Sequence, residues 1–541
     1  MSEFPGFRRL LARYLCAVIA SLVLATTIAA APAEVSTAIP GEGAPEPEVV
    51  DGTLRLSLDE AIELSLARNL GLVVERYNDA EARFSLAQSF GIYDLNLTSG
   101  VSAFSETSPS ATNLAGADVS TQDQQVWNFG LSQMLKSGGG VALDFNNYRN
   151  ESNSSFATIN PLFRSDLDFS FTQPLLRGLG KRLTERGIQI ARTNLDISRE
   201  TFAQQVSASI QQVVNAYWTL VGARNQLIVT ERSLELAKQL HEQNKVRVEV
   251  GTLAPLELVQ SEAGIATRQE EIIRARAAVA DGEDALRQLL NLDRDIQWDA
   301  LIETTSQPEI ERVTVDLDSA IDRALESRPE VVSGRLGLST FELDVDYFHN
   351  QLLPQLDFSA RYGFNGLGGN VTERDFFTGE ILFQAPGGYS DALNQITDAS
   401  FEGWSVALDL SMPLQNRSAK AQFAKAEVAH DRALAALRQL ELQVATEVRR
   451  AARGLDTAAQ QIDSARVSRR LQERTLEAEQ KRYDNGMSTS YRVLEIQRDL
   501  IDASNREVVA ITGYRTALAE FQRVTGVLNE ESGVVIVDAG D

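Results

Sequence analysis

Leu167-Asp168-Phe169-Ser170-Phe171-Thr172-Gln173 alternates apolar and polar residues until Pro174 stops it. From about Arg182 to Val250 the chain then carries apolar residues at helical spacing. A period of two giving way to a helical period at a proline is a strand feeding a helix. The same unit recurs later. Val406-Ala407-Leu408-Asp409-Leu410-Ser411-Met412 stops at Pro413, and a second long helical pattern runs to about Asn485 and ends at Gly486. Two such units in one chain predict an internally duplicated architecture.

Both helical stretches carry coiled-coil seams. In the first, Val213, Leu220, Leu227 and Leu234 recur every seven residues, with Tyr217 between. In the second, Val444, Val448, Ala451, Leu455, Ala458, Ile462 and Ala465 alternate steps of four and three. The alanines permit close helix approach. A helix of about 70 residues is about 105 Å long, a length suited to a rod or a tunnel.

Taken in order, Ser57 is a helix N-cap with Glu60 as its capping-box partner, opening a helix to about Phe90. Four alternating runs follow: Leu95–Phe104, Val126–Leu135, Val141–Tyr148 and Leu167–Gln173. Ser137-Gly138-Gly139-Gly140 reads as a hairpin turn between the middle two. The alternation requires water on one side and apolar material on the other, either a protein core or lipid. After Gly251 a shorter helix from about Pro255 to Asn291 returns antiparallel. The order then restarts. Leu317-Asp318-Ser319-Ala320-Ile321 echoes Leu58-Asp59-Glu60-Ala61-Ile62. A helix to about Asn350 leads to strand Leu356–Phe364, a long loop over 365–400, strand Phe401–Met412, the second long helix, and a return helix from about Ser490 to Val524. Leu58 to Pro174 is 116 residues against 96 from Leu317 to Pro413, so the first copy carries one additional hairpin. Sequence alone leaves open whether that hairpin, around Val126–Tyr148, adds barrel strands or extends outside the barrel.

The expected organisation is a signal peptide over 1–33, a flexible leader over 34–53, a first repeat over 54–292, a connecting segment over 293–316, a second repeat over 317–527 and an acidic tail over 528–541. The signal peptide rests on Arg8, Arg9 and Arg13, the apolar run Tyr14–Ala31 and the small residues Ala31-Pro32-Ala33. Cys16 is the single cysteine, and the residues before it do not form a lipoprotein box. Removing the leader leaves no thiol and no disulfide. No later stretch has the roughly 20 apolar residues of a membrane helix, so any membrane crossing falls to strands. The formal charge of −24 argues against nucleic acid as a partner. His241, His349 and His430 lie far apart, without the spacing of a metal site, and no glycine-rich phosphate loop follows a strand. The expectation is no cofactor, no metal and no enzymatic activity.

This order resembles the TolC family of outer-membrane efflux proteins, over about residues 54–527. The residues that carry the resemblance are the two Leu-Asp motifs above, with Leu353-Pro354-Gln355-Leu356, Gln173-Pro174-Leu175 and Tyr483-Asp484-Asn485-Gly486. The resemblance implies an α+β, mostly α, fold: a long antiparallel α-helical coiled-coil barrel, plus a membrane β-barrel shared by a homotrimer to which each subunit gives four strands. It implies a passive exit duct in the outer membrane, working with a periplasmic adaptor protein and an inner-membrane transporter in efflux or type I secretion. Gly251, Leu253, Gly486, Met487 and Ser488 would then form the adaptor-contacting tip. Tyr483 and Glu257 would share a bond that holds the tip closed, and Arg492 and Glu495 would occupy the constriction. Arg492 stands where well-known members carry an acid. A periplasmic coiled-coil scaffold or adhesin is the rival reading, and an enzyme on a helical barrel a weaker one.

Overall fold

The structure, a computed structural model, describes residues 49–50, 52–109, 119–154, 157–292, 298–308, 310, 312–375 and 380–534. The expected signal peptide and most of the leader lie outside the described residues. All the elements below belong to one unit, residues 44–541.

Six strands form the main sheet in the order β3-β4-β5-β6-β8-β10, every pair antiparallel. They are β3 (Asn96–Pro109), β4 (Val119–Met134), β5 (Gly140–Ser152), β6 (Ile159–Pro174), β8 (Gln355–Arg374) and β10 (Glu402–Ser411). A short β9 (Ile381–Ala385) pairs with the far end of β8. Register places Leu97, Leu131, Leu143, Phe169, Tyr362 and Trp404 in one row across all six strands. The neighbouring row is Thr98, Gly130, Asp144, Asp168, Gly363 and Gly403. Because successive residues point to opposite faces, one face of the sheet is apolar and the other polar. On the polar face Arg361 donates from Nε to Asp168 at 2.9 Å, satisfying a buried carboxylate.

The helices sort into two tiers. The upper tier holds α1 (Leu58–Arg68), α2 (Leu70–Ser89), α5 (Leu317–Ser327) and α6 (Pro329–Asn350). The lower tier holds α4 (Leu256–Leu290) and α9 (Ser490–Val524). Running through both are α3 (Arg186–Glu249, 64 residues) and α8 (Arg417–Asp484, 68 residues). Contacts order the upper tier α2, α3, α6, α8 and the lower tier α4, α3, α9, α8, so four helices lie abreast throughout. Ser57 caps α1 as expected, its hydroxyl accepting from the Glu60 amide while the Glu60 carboxylate accepts from the Ser57 amide.

Where the tiers meet, a small sheet joins β1 (Val49–Val50), β2 (Thr53–Leu56) and β7 (Leu301–Thr304). Leu54, Leu56 and Ile302 pack with Tyr217, Trp218, Leu286 and Leu290 in the largest core. The Tyr217 hydroxyl donates to the Leu56 carbonyl at 3.0 Å and accepts from the Ser306 amide. On the second copy's side, buried Arg328 donates to Glu447 at 2.8 Å and to Glu330 at 2.9 Å.

Several expectations are corrected. The segment 293–316, read from the sequence as an irregular connection, contains a strand: Ile302 is buried, and β7 pairs in parallel with β2. The leader's last residues join the same sheet. The tail begins with packed residues, since Leu528 is buried and Val534 lies against the core, while 535–541 fall outside the described residues. The single helix to Phe90 breaks at Asn69, whose carboxamide oxygen accepts from the Gly71 amide and restarts the helix. Most of the described residues of the loop over 365–400 lie in regular elements. β8 runs on through Gly366-Leu367-Gly368-Gly369, and a helix, α7 (Tyr389–Thr397), lies across it. Gly366 and Gly368 permit that contact: a Cβ on Gly366 would stand 2.0 Å from the Ala392 carbonyl oxygen. Finally, the lower seam of α3 passes through Thr230, Ser233, Ala237, Leu240 and Asn244, leaving Leu227 and Leu234 half-buried. The seam of α8 does bury Val444, Val448, Leu455, Ala458 and Ile462.

Candidate functional site: the helical tip

Two turns close the lower tier, and they are built alike. Gly251 has φ +79° and Gly486 φ +74°. The Thr252 amide donates to the Arg247 carbonyl, and the Met487 amide to the Arg482 carbonyl, both at 2.9 Å. The glycine amides donate one step further in, to Val248 and Tyr483, each at 3.0 Å. A glycine in the left-handed region with this bond pair satisfies the last carbonyls of a helix and reverses the chain. Pro255 precedes α4, and the Thr489 hydroxyl caps α9 at the Arg492 amide.

Tyr483, three residues before its glycine, is fully buried with Leu240 and Val493. Its hydroxyl donates to Asn244 Oδ1 on α3. The expected bond to Glu257 is therefore not made within the protomer. Asn244 sits on the α3 seam facing Tyr483, whereas the Glu257 carboxylate accepts from the Ser490 hydroxyl. Glu257 still lies near enough for its charge to act on the phenol. Burial pushes the Tyr483 hydroxyl above its ordinary pKa, Arg247 pulls it back, and the charges of Glu257 and Asp484 raise it again. The group stays protonated and remains a donor.

Arg247 is the third member of this joint. Its guanidinium lies 4.6 Å from the Tyr483 ring centroid, donates to the Tyr483 carbonyl at 3.0 Å, and pairs with Asp484 at 3.4 Å. One turn farther from the tip on α8, buried Glu479 accepts from Arg482 at 3.1 Å and from the Ser488 hydroxyl, which ties the second turn to its own helix. The α3–α4 pair is pinned by His241, whose Nδ1 lies 2.8 Å from Ser261 Oγ. Since the Ser261 hydroxyl donates to the Leu258 carbonyl, Nδ1 carries the proton in that bond.

Arg492 and Glu495 are both exposed and pair at 2.6 Å, so within a protomer they neutralise one another. Leu253 is half-buried, as is Ser488, while Met487 is exposed. Around the turns Val246, Val250, Leu256, Val259 and Tyr491 also expose apolar surface.

The family resemblance pointed to Tyr483 and Glu257 but not to Asn244, Arg247, Glu479 or Ser490. One signal was available: Asn244 continues the four-three seam steps of Ala237 and Leu240, and a polar residue at a seam position needs a partner. Among the described residues no cluster of His, Cys, Asp and Glu could hold a metal, and no helix is long and apolar enough to cross a membrane.

The outer membrane efflux protein family model matches residues 170–292 and 320–527, more than half of the chain. No curated protein sequence matches it. Among solved structures, the outer-membrane channel OprN is similar with a TM-score of 0.61 at 17% identity, over 87% of this chain and 89% of that one. The CmeC outer membrane channel of Campylobacter jejuni is similar with a TM-score of 0.61 at 16% identity, over 87% and 86%. The outer membrane protein VceC of Vibrio cholerae gives 0.58 at 14%, over 87% and 96%. At such identities the structural likeness is one of fold.

Proposed function

The chain belongs to the outer membrane efflux protein family, and from that premise we propose that it is the passive exit duct of a tripartite assembly. In this reading three copies close a β-barrel in the outer membrane and a helical tunnel below it. A periplasmic adaptor docks on the tip, and an inner-membrane transporter supplies the energy. The family is one of outer-membrane efflux channels, not enzymes.

One observation carries the reading. A sheet with an apolar row across every strand feeds helices of 64 and 68 residues that end in matched glycine turns. At 1.5 Å per residue the longer helix spans about 100 Å, a periplasmic distance. The exposed apolar residues at the turns, with Gly251, Leu253, Gly486, Met487 and Ser488 at their centre, form the surface for the adaptor. Exposed apolar clusters rimmed by charge mark docking sites.

The gate mechanism follows from the joint at Tyr483. The hydroxyl bond to Asn244, the Arg247 clamp on the Tyr483–Asp484 backbone and the Ser490–Glu257 bond hold α8 and α9 against α3 and α4. Opening requires α8 and α9 to swing away, which breaks these bonds together. An adaptor that binds the swung state better shifts the population towards it. The Arg492–Glu495 pair makes a ring of near-zero net charge at this level, in place of a doubly acidic one.

Two measurements test the reading together: native mass of the purified protein, and its conductance in planar bilayers. A trimer that conducts supports the duct. A folded protein that never conducts favours the scaffold or adhesin.

A further inference from the structure

We propose that the barrel closes from eighteen strands, six per protomer, with β3 of one copy pairing with β10 of the next. This rests on the trimeric duct reading and settles what the additional hairpin of the first repeat is for.

Four observations place that hairpin within the barrel wall. First, β4 and β5 continue the sheet without a break, paired with each other over thirteen residues, β4 with β3 over fourteen and β5 with β6 over eleven. Second, the apolar row persists onto them: Leu131 and Leu143 stand in line with Leu97, Phe169, Tyr362 and Trp404. A hairpin projecting into water has no use for that face, whereas one in contact with lipid requires it.

Third, the inner turn of the hairpin is clamped where strands hand over to helices. The Ser137 carbonyl accepts from the Gly180 amide at 2.9 Å, and the Ser137 hydroxyl donates to Gln173 at 2.6 Å. A Cβ on Gly138, which has φ +87°, would meet the Gly178 carbonyl oxygen at 2.5 Å. Fourth, the outer end is tied to the second repeat. The Tyr389 hydroxyl of α7 donates to Asn147 Oδ1 at 2.8 Å, and the Trp127 indole donates to Tyr389 at 3.4 Å.

The edges fit each other. β3 leaves α2 and β10 enters α8, so the two run in opposite directions and meet antiparallel, as an even-stranded barrel requires. Both are solvent-exposed along nearly their whole length in the single chain, with Val101, Trp404, Leu408 and Leu410 bare. Long bare edges in a native protein need a partner strand.

The widths agree as well. Four helices abreast at about 9.5 Å each span about 38 Å of circumference per protomer. Six strands spaced about 4.8 Å apart and tilted about 40° span about 38 Å, and four strands only about 25 Å. Six strands therefore continue a four-helix wall at ordinary tilt. Three copies give a barrel about 36 Å across, against about 24 Å for twelve strands at the same tilt.

The test is disulfide scanning in the full-length trimer, whose one native cysteine, Cys16, lies upstream of the described residues. Single cysteines at Leu97, Ser99 or Val101 on β3 are combined with single cysteines at Trp404, Val406 or Leu408 on β10. A second set replaces the β3 partner with Leu143→Cys or Phe145→Cys on β5. The proposal expects oxidation of a β3–β10 combination to convert the denatured monomer band into dimers and trimers, and the β5–β10 set to stay monomeric. Bonds from β5 to β10, or none from β3 in a protein that native mass shows to be trimeric, overturn the proposal and leave the duct reading intact. A monomeric native mass overturns the trimer, and the barrel with it. Electron microscopy of the unmodified trimer is the independent check, and a barrel near 24 Å across contradicts eighteen strands.

Discussion

Leu408→Arg and Asp409→Arg place the same charge on adjacent residues of β10, and the structure predicts opposite outcomes. Leu408 lies midway along the apolar run from Trp404 to Met412, exposed on the apolar face. Asp409 points to the polar face, directly across from Asp357 on β8. An arginine at mid-bilayer on the lipid face costs about 2–4 kcal/mol. Three copies put about 6–12 kcal/mol against assembly, and at about 1.4 kcal/mol per decade the lower figure is already a factor of more than 10⁴. Asp409→Arg instead turns a pair of facing like charges into an opposite pair, worth a few tenths of a kcal/mol to about 1 kcal/mol in favour. The assay is the fraction of trimer resistant to mild detergent in the outer-membrane fraction, each variant expressed at equal level. Leu408→Arg should abolish it and Asp409→Arg should leave it at or above the parent. Equal loss from both, or normal assembly of Leu408→Arg, refutes the assignment of the two faces.

Three further outcomes follow from the helical part. Tyr483→Phe keeps the packed ring but leaves the buried Asn244 oxygen without its donor, a cost of about 1–3 kcal/mol per protomer. Single-channel recording should show open-state occupancy rising at least fivefold, and unchanged gating would remove the hydroxyl from the lock. Arg328→Ala unpairs Glu447, whose carboxyl burial alone would raise; bonds from Gln443 and Arg328, with the charges of Arg328 and Arg523, bring it below the ordinary 4.5. A depressed carboxylate stabilises the fold above the unfolded-state pKa and loses that contribution as pH falls through the folded value. The melting-temperature gap between parent and Arg328→Ala should thus be wide at neutral pH and narrow in acid below 4.5; a gap independent of pH would count against it. Gly486→Ala meets no atom within 4 Å but must hold φ +74°, so it should cost about 1–2 kcal/mol without unfolding the rod, with Gly486→Asn milder in thermal melts. Equal stability of parent and alanine variant would show the turn to be unstrained.

The parts of the fold written in local pattern were legible in the sequence. The two long helices, their glycine turns and the N-cap at Ser57 each follow from neighbours within a few residues, and each is present. What was not legible depends on distant partners. Nothing local says that Leu301–Thr304 pairs with a strand almost 250 residues earlier. Gly366 and Gly368 read as loop because glycine weakens a strand, and only the backbone of α7 and its N-cap lying where their side chains would stand explains them; Gly369, at φ +135°, stands instead against the Pro161 carbonyl of β6. The proposed lock shows the same limit. Tyr483 came from the family resemblance, which places a tyrosine three residues before the second glycine, but its partner is set by the rotation of α3 about its axis. The seam drifts from Leu227 and Leu234 to Ser233, Ala237 and Leu240 over those turns, which brings Asn244 rather than Glu257 to the hydroxyl. A helix of 3.6 residues per turn drifts against a strict seven-residue repeat, so heptad counting loses the seam over several turns.

The most direct test of the duct itself is conductance of the purified trimer in planar bilayers, with Tyr483→Phe used to populate the open tip and Arg492→Glu to mark it. A conducting duct should give discrete conductance steps, longer-lived in Tyr483→Phe. Arg492→Glu should shift it towards cation selectivity, because that change turns a neutralised ring with Glu495 into a doubly acidic one. A folded trimer that inserts into the bilayer and passes no current, in the parent and in Tyr483→Phe alike, would contradict the duct reading.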